Sequence, residues 1–328
     1  MMQHLLEEHK VLNAIHSLSL DKKIAFVSYR LPFQEKVTTL LQWSSEPLKI
    51  NDLKSLHSTR GFVFAPYNNN QQTPARLIVP DAILSGDESE ESSKLINFIE
   101  NIAEKPKYLL SQTENRSPIQ RQDYLKQVEK IRAIINEKKL DKMVLTRISV
   151  DPKPEYFNPS EFFSAIHQAY PEAFVYMLYI RDSGLWFGAS PEPLLHVSGN
   201  TATTVSLAGT RKFSPSNVDF SWNNKERKEQ LIVTNYIEHV LNRFGVRNYS
   251  IIGPKTHKAG SVEHLKTEFT FALDDMGSRM FEFIDELHPT PSVCGLPKTE
   301  ALEYIKLTEI HNREYYTCLL YTSDAADE

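Results

Sequence analysis

Two residue types in this sequence could carry proton chemistry, and several of them stand where a fold can change how they ionise. Lys142 heads the run Lys142-Met143-Val144-Leu145-Thr146-Arg147, between a helix-like and a strand-like stretch. If the strand alternates, Lys142, Val144 and Thr146 share one face. In a dry pocket such a lysine gives up its proton more readily and can act as a base. The ordinary alternative is an exposed lysine at a strand start. Glu192 lies in Phe187-Gly188-Ala189-Ser190-Pro191-Glu192-Pro193, where glycine and two prolines hold a rigid turn behind a strand. Such a turn can aim a carboxylate inward, where burial raises its pKa and makes it a general acid; a surface turn glutamate is the plain alternative.

Other positions could surround a ligand. Leu207-Ala208-Gly209-Thr210-Arg211 offers small residues that let a ligand approach the backbone, beside a hydroxyl and a cation. Glu226 and Glu229 sit three apart on a helical stretch and face nearly the same way, so one or both could hold a hard cation; solvated carboxylates paired with Lys225 and Arg227 are the bland reading. His264 and His288 each read individually as a hydrogen-bonding structural histidine.

The elements that must position these groups follow from periodicity. Residues 1 to about 115 combine a helical start with strand-like runs at Ile24–Tyr29 and Gly61–Ala65. The acidic stretch from Ser85 to Ser93 reads as a solvated loop that could mark a boundary or a flap. Behind Ser117-Pro118, the spacing of Tyr124, Val128, Ile131 and Ile135 predicts an amphipathic helix. Strands are expected at Met143–Leu145, Phe174–Ile180, Leu185–Phe187, Leu194–Val197 and Thr203–Leu207, with hairpin turns at 182–184 and 198–200. Glu226 to Phe244 predicts a long helix with Leu231, Thr234, Ile237 and Leu241 on its stripe. Helices laid on antiparallel sheet make the fold class α+β.

Composition narrows the function classes. With 328 residues, 41% hydrophobic and 24% charged, the chain can bury a substantial core, so disorder is not the default. A net charge of −5 gives no footprint for nucleic acid or an anionic membrane, and no stretch reads as a leader or a membrane span. Two cysteines, Cys294 and Cys318, make neither a disulfide framework nor a zinc set, which fits a reducing, cytoplasmic setting. No GxGxxG or GxxxxGK[ST] loop marks a nucleotide site.

Taken in order, six blocks resemble the chorismate-binding family, which includes isochorismate synthases, salicylate synthases, anthranilate synthase large chains and aminodeoxychorismate synthases. They are Lys142–Arg147, Gly188–Glu192, Leu207–Arg211, Lys225–Glu229, His264–Thr267 and the run His288-Pro289-Thr290-Pro291-Ser292-Val293-Cys294-Gly295-Leu296-Pro297. The resemblance spans residues 117 to 317 and implies the α+β chorismate-binding fold of anthranilate synthase component I, with one catalytic region over 116–317 and residues 1–115 as an earlier part of the same fold. It implies Mg²⁺ held by Glu229, a substrate lined by Ala208, Gly209, Thr210 and His264, and catalysis by Lys142 and Glu192. A lysine at position 142 resembles the water-activating members, where the amine-forming ones carry glutamine. The implied activity is isochorismate synthase, an isomerase acting on chorismate for menaquinone or siderophore synthesis, with salicylate synthase or a non-catalytic chorismate-binding fragment as alternatives. The intact protein is expected to be a monomer, and the charge and apolar-span readings above lead to no expectation of a membrane or nucleic-acid partner.

Two features depart from the family pattern. Ser292 stands where isochorismate synthases commonly have alanine. Residues 318–328 follow no family pattern and read as a non-native joining sequence in place of further strands, which leads to an expectation of exposed sheet edges, poor solubility and doubtful activity.

Overall fold

The computed structural model describes residues 2–56, 60–86, 89–103, 118–214 and 221–322. Along the chain run α1 (Met2–Asp21), β1 (Ala25–Arg30), β2 (Thr38–Gln42), β3 (Leu48–Ile50), β4 (Phe62–Ala65), β5 (Ala75–Ile78), β6 (Ala82–Ser85), α2 (Ser89–Glu100), α3 (Arg121–Asn136), β7 (Lys142–Met143) and α4 (Pro159–Ala169). There follow β8 (Phe174–Ile180), β9 (Gly184–Ser190), β10 (His196–Ser198), β11 (Thr201–Lys212), α5 (Asn224–Arg243), β12 (Tyr249–Ala259), β13 (Val262–Ala272), α6 (Met280–Leu287), β14 (Gly295–Leu296), α7 (Lys298–Thr308) and β15 (Leu319–Thr322).

The first sheet has the order β6-β2-β1-β8-β9, so early strands are laced directly to later ones. Every residue of β1 is buried, because the sheet is covered on both faces. Phe26, Val175 and Met177 meet Ile15, Ile99 and Phe163 from the helices on one side. Val27, Tyr29, Tyr176 and Leu178 meet Phe62, Phe64 and Ile78 of a second sheet, ordered β15-β4-β5-β3, on the other. A third sheet, β10-β11-β13-β12, alternates along β13 between buried and half-buried positions. Its buried face lies under α5, with Ala202, Phe269 and Phe271 against Val233, Ile237, Val240 and Leu241. Helix α6 joins the layers: Phe283 and Leu287 enter that core, and Phe281 and Ile284 enter the core of the second sheet. The fold class is α+β, with all its paired strands antiparallel among the described residues.

The structure corrects several expectations. The strand expected at Met143–Leu145 is a two-residue bridge, in which Lys142 and Met143 pair with Leu296 and Gly295. Beyond it the backbone finds non-ladder partners: the Val144 amide donates to the Cys294 carbonyl at 2.7 Å, and that of Thr146 to the Glu309 carboxylate at 2.7 Å. On α5 the buried face is Gln230, Val233, Tyr236, Ile237, Val240 and Leu241, and Leu231 is 55% exposed. Five side chains worth about 1.5–3 kcal/mol each outweigh one exposed leucine. The helix behind Ser117-Pro118 begins later, at Arg121, and buries only Ile131 fully. From Ser89 the acidic stretch is helix α2, with Ser92 buried; residues 87–88 lie outside the described residues. Within the tail, β15 pairs with β4, Leu319 joins the second-sheet core, and residues 323–328 lie outside the described residues.

Candidate active site

The site assembles where the β7 bridge, the turn after β9, the end of β11, the start of α5 and the start of β13 converge. Helix α5 is started by Asn223, whose side chain accepts from the amides of Lys225 (3.0 Å) and Glu226 (3.2 Å). That cap sets the azimuth of Glu229, whose Oε1 lies 3.2 Å from the Lys142 ammonium. Lys142 is 8% exposed. Burial pulls its pKa below the ordinary lysine value, and the carboxylates of Glu229 and Glu192 offset only part of that.

Glu192 comes two residues after β9, as the Gly-Pro-Pro turn predicts. Its residue surface is partly exposed, but Oε1 is sealed from solvent and has no hydrogen-bond partner. Burial raises the carboxyl to about 7, against smaller opposing contributions from the Ser292 hydroxyl and the Lys142 charge. Lys142 and Glu192 are therefore displaced in opposite directions within one site.

Gly209 sits at the bulge where β11 slips against β13, between Ala208 and Thr210. Its φ is +67°, and a Cβ there would stand 3.0 Å from the Cβ of Glu226, so glycine meets both a backbone and a packing requirement. His264 Nδ1 lies 3.2 Å from the Gly209 carbonyl and 3.1 Å from the Thr210 hydroxyl. Burial lowers the His264 pKa, Gly209 and Glu229 act upward, and His257 acts downward. Thr210 is exposed, whereas Ala208 is buried in the α5 core with its amide donating to Gln230 Oε1 at 2.9 Å. Arg211 is engaged by Glu263 at 2.7 Å and by the Trp222 ring.

Glu226 and Glu229 project from neighbouring turns, and Glu226 Oε2 is a sealed oxygen with no partner. Arg227, a candidate neutraliser, donates instead to the Trp222 carbonyl at 2.9 Å. Among the described residues no group of three or more His, Cys, Asp or Glu side chains forms a ready metal cage. Mg²⁺ needs only one or two protein carboxylates and completes its shell with water and substrate oxygens, a demand that the donor chemistry of Glu226 and Glu229 fits.

The run from His288 to Pro297 is a scaffold beside this site. Lys298 Nζ caps α6 by donating to the carbonyls of Asp285 (3.3 Å), Glu286 (2.8 Å) and His288 (2.6 Å). Burial, with the nearby Lys298 charge, lowers His288 to about 4, so its ring stays neutral. The reading of His288 as structural suits this setting.

A model of the family described as "Chorismate binding enzyme" matches residues 56–326. The chain belongs to the chorismate-binding enzymes. Among its relatives, isochorismate synthase MenF of Bacillus subtilis (strain 168) is 27% identical over 226 residues, which are 64% of this chain and 45% of that protein. Isochorismate synthase DhbC of the same organism is 25% identical over 349 residues, covering 99% of this chain and 83% of that protein. The chain thus spans under half of the first relative's length. The solved structure of MenF, the menaquinone-specific isochorismate synthase from Escherichia coli, superimposes with a TM-score of 0.70 at 17% identity, over 95% of this chain and 78% of that one. That likeness establishes the fold.

Several residues that build the site of this chorismate-binding enzyme have no motif to announce them. Gln230 accepts from the Ala208 amide and donates to the Ser206 carbonyl (3.0 Å), the Ser206 hydroxyl (2.8 Å) and the Thr267 hydroxyl (3.1 Å), fixing β11 against α5. Arg313 forks onto Glu309 at 2.7 and 2.8 Å and donates to the carbonyls of Val144 and Val293, both at 2.8 Å. It thereby ties the segment after Lys142 to the loop that carries Ser292. The one sequence signal for Gln230 was its place beside the Lys225–Glu229 block, which spacing does not separate from a solvated residue, and Arg313 lies outside all six blocks.

Proposed function

We propose that the chain catalyses the isomerisation of chorismate to isochorismate. The observation that carries this reading is the pair Lys142 and Glu192, one sealed amine pushed toward neutrality and one sealed carboxyl pushed to about 7, facing a common site. Water addition with loss of a hydroxyl needs such a pair, because the base must take a proton as the acid gives one. Lys142 takes a proton from water as its oxygen bonds to C2 of the ring. Both ring double bonds shift, the C4–O bond breaks, and Glu192 protonates the departing hydroxyl to water. One water enters and one leaves, so the reaction is redox-neutral.

His264, Gly209 and Thr210 line the ring, with Ala208 behind them. Glu229, with Glu226 beside it, would hold Mg²⁺, which supplies charge neutralisation for a substrate carboxylate. The enzyme so proposed is a cytoplasmic monomer acting on a free small molecule. Among the described residues no helix is long and apolar enough to cross a membrane.

The test is incubation with chorismate and Mg²⁺ followed by product separation. Isochorismate is expected, and Lys142→Ala should reduce turnover by roughly 10²-fold or more. Salicylate with pyruvate would replace the reading by a salicylate synthase. Binding without conversion by the folded chain would reduce it to a chorismate-binding fragment, and full turnover by Lys142→Ala would remove the assigned base.

A further inference from the structure

The site draws its walls from two sheets, and two turns meet between those sheets at one end. Glu192 belongs to the first sheet, two residues beyond Ser190, which pairs with Phe174 at the start of β8. The turn leading into β8, Tyr170-Pro171-Glu172-Ala173, therefore stands at the same end of that sheet as Glu192. His264 and Thr210 belong to the third sheet, where they pair in register, and the β12–β13 hairpin turns over at Gly260, four residues before His264. Both turns are held from behind. Arg30, 1% exposed, donates to the carbonyls of Tyr170 (2.5 Å) and Pro171 (2.7 Å). The Phe213 amide, just beyond β11, donates to the Ser261 carbonyl at 3.0 Å. The two turns then touch: a Cβ placed on Gly260 would stand 2.7 Å from Tyr170 Cε1 and 3.1 Å from Cδ1, so the ring lies directly on the glycine. Beside it the Glu172 carboxylate is 3.9 Å from Nε2 of His257, the residue that pairs with His264 across β12 and β13.

We propose that Tyr170 and Gly260 are positioning residues for this site: the ring seated on the glycine sets the gap between Glu192 on the first sheet and His264 on the third. The backbone of Gly260 does not by itself demand glycine, since its φ of +60° is one that asparagine also adopts. The ring above it leaves no room for a Cβ. Tyr170 is 42% exposed, so it serves this contact and not a core. From the contact to His264 the ladder runs without a slip, through Ala259 with Val262, Lys258 with Glu263 and His257 with His264. That is about 13 Å of paired strand, which carries a displacement of the hairpin tip to the site. On the other side Arg30 pairs with Val175 of β8, so the guanidinium that holds the turn and the strand beside β9 belong to one ladder. The inference rests on the reading of Glu192 and His264 as two walls of one site, and it adds what fixes the distance between them.

A Cβ at position 260 must move the ring and the hairpin apart by about 1 Å to restore an ordinary carbon–carbon contact. Gly260→Asn supplies that atom at a φ asparagine tolerates, with Gly260→Ala as the second variant should it not fold. The readout sits on the opposite sheet and needs no turnover. In the 328-residue chain with ¹³C-labelled glutamate carboxyls, the Glu192 resonance is assigned as the one missing from Glu192→Gln. Gly260→Asn should shift that resonance at fixed pH, and the shift should vanish when the same change is made in Tyr170→Ala, or in Tyr170→Leu if the alanine variant does not fold. Tyr170→Phe, which keeps the ring, should leave the resonance in place. An unshifted Glu192 in Gly260→Asn would mean that the ring swings into solvent, and it overturns the inference, as does a shift that persists without the ring. If the chain converts chorismate, Gly260→Asn should lower kcat by roughly ten- to a hundredfold, the cost of a displacement of about 1 Å, with a smaller loss in the Tyr170→Ala background. An unchanged kcat in the active chain would also overturn it. Failure of chorismate conversion by the unaltered chain would defeat the proposed reaction and leave the resonance result to decide this inference, so the two failures are separable.

Discussion

Replacing Arg313 by methionine should be among the most damaging single changes outside the apolar core. The side chains of Arg313 and Glu309 are each 2% exposed, and the fork between them is joined by the Thr146 amide and hydroxyl, which donate to Glu309 Oε1 at 2.7 and 3.0 Å. Arg313→Met leaves a buried carboxylate without its cation, which costs about 3–5 kcal/mol. It also strips donors from the Val144 and Val293 carbonyls, at about 1 kcal/mol each. These losses overlap, so a total near 4 kcal/mol is expected, against a domain stability of roughly 5–15 kcal/mol. Removing the stranded charge as well should recover part of it: Arg313→Met with Glu309→Leu is expected to be less destabilised than the two single effects summed, with a coupling of about 2 kcal/mol or more. Urea unfolding of the four proteins, with slopes compared to confirm like transitions, measures this. A single-variant cost below about 1 kcal/mol, or strict additivity in the double variant, would refute the claim that this fork holds the segment after Lys142 to the Ser292 loop.

Further outcomes follow from the same structure. Folded Glu192 keeps its proton up to about pH 7, whereas its ordinary value is 4.5, so folding takes up a proton in that interval and stability falls as pH rises through it, by about 3 kcal/mol in all. Glu192→Gln should abolish that slope, matching the parent near pH 4 and exceeding it by about 2–3 kcal/mol at pH 8. Urea midpoints at both values check this, since His288 and the groups that do not interact with Glu192 contribute equally to both proteins; equal stability at pH 8 would contradict the burial of this carboxyl. Gly209→Ala meets a positive φ and the Glu226 Cβ at 3.0 Å, and should cost about 1–2 kcal/mol in thermal unfolding. A neutral or stabilising Gly209→Ala would mean that the bulge relaxes freely.

Two of the long elements were legible in type and extent because each carries its own periodicity, whereas β11 extends at both ends beyond its expected Thr203–Leu207 and β12 had no expectation. Phe174–Ile180 forms β8 at its expected bounds, and the helix expected over Glu226–Phe244 occurs as α5 within two residues at its start and one at its end. The polar stripe of α5 was less legible, since Gln230 reads as solvent-facing until β11 supplies three partners for it and β13 a fourth. The short β7 bridge escaped for a related reason: amides that pair with a loop carbonyl and a distant carboxylate leave no alternation in the local sequence.

By itself the sequence determined the fold class, the family, and which lysine and which glutamates were worth weighing, because these depend on residue types in order along the chain. It could not determine ionisation. Lys142 and Glu192 lie 50 residues apart, and each is a common surface residue until the Cys294–Pro297 segment, α5 and the Ser292 loop close around them. Desolvation is a property of everything packed around a group. It is set only when segments far apart in sequence meet, and so the chemistry of this site was decided by the tertiary structure.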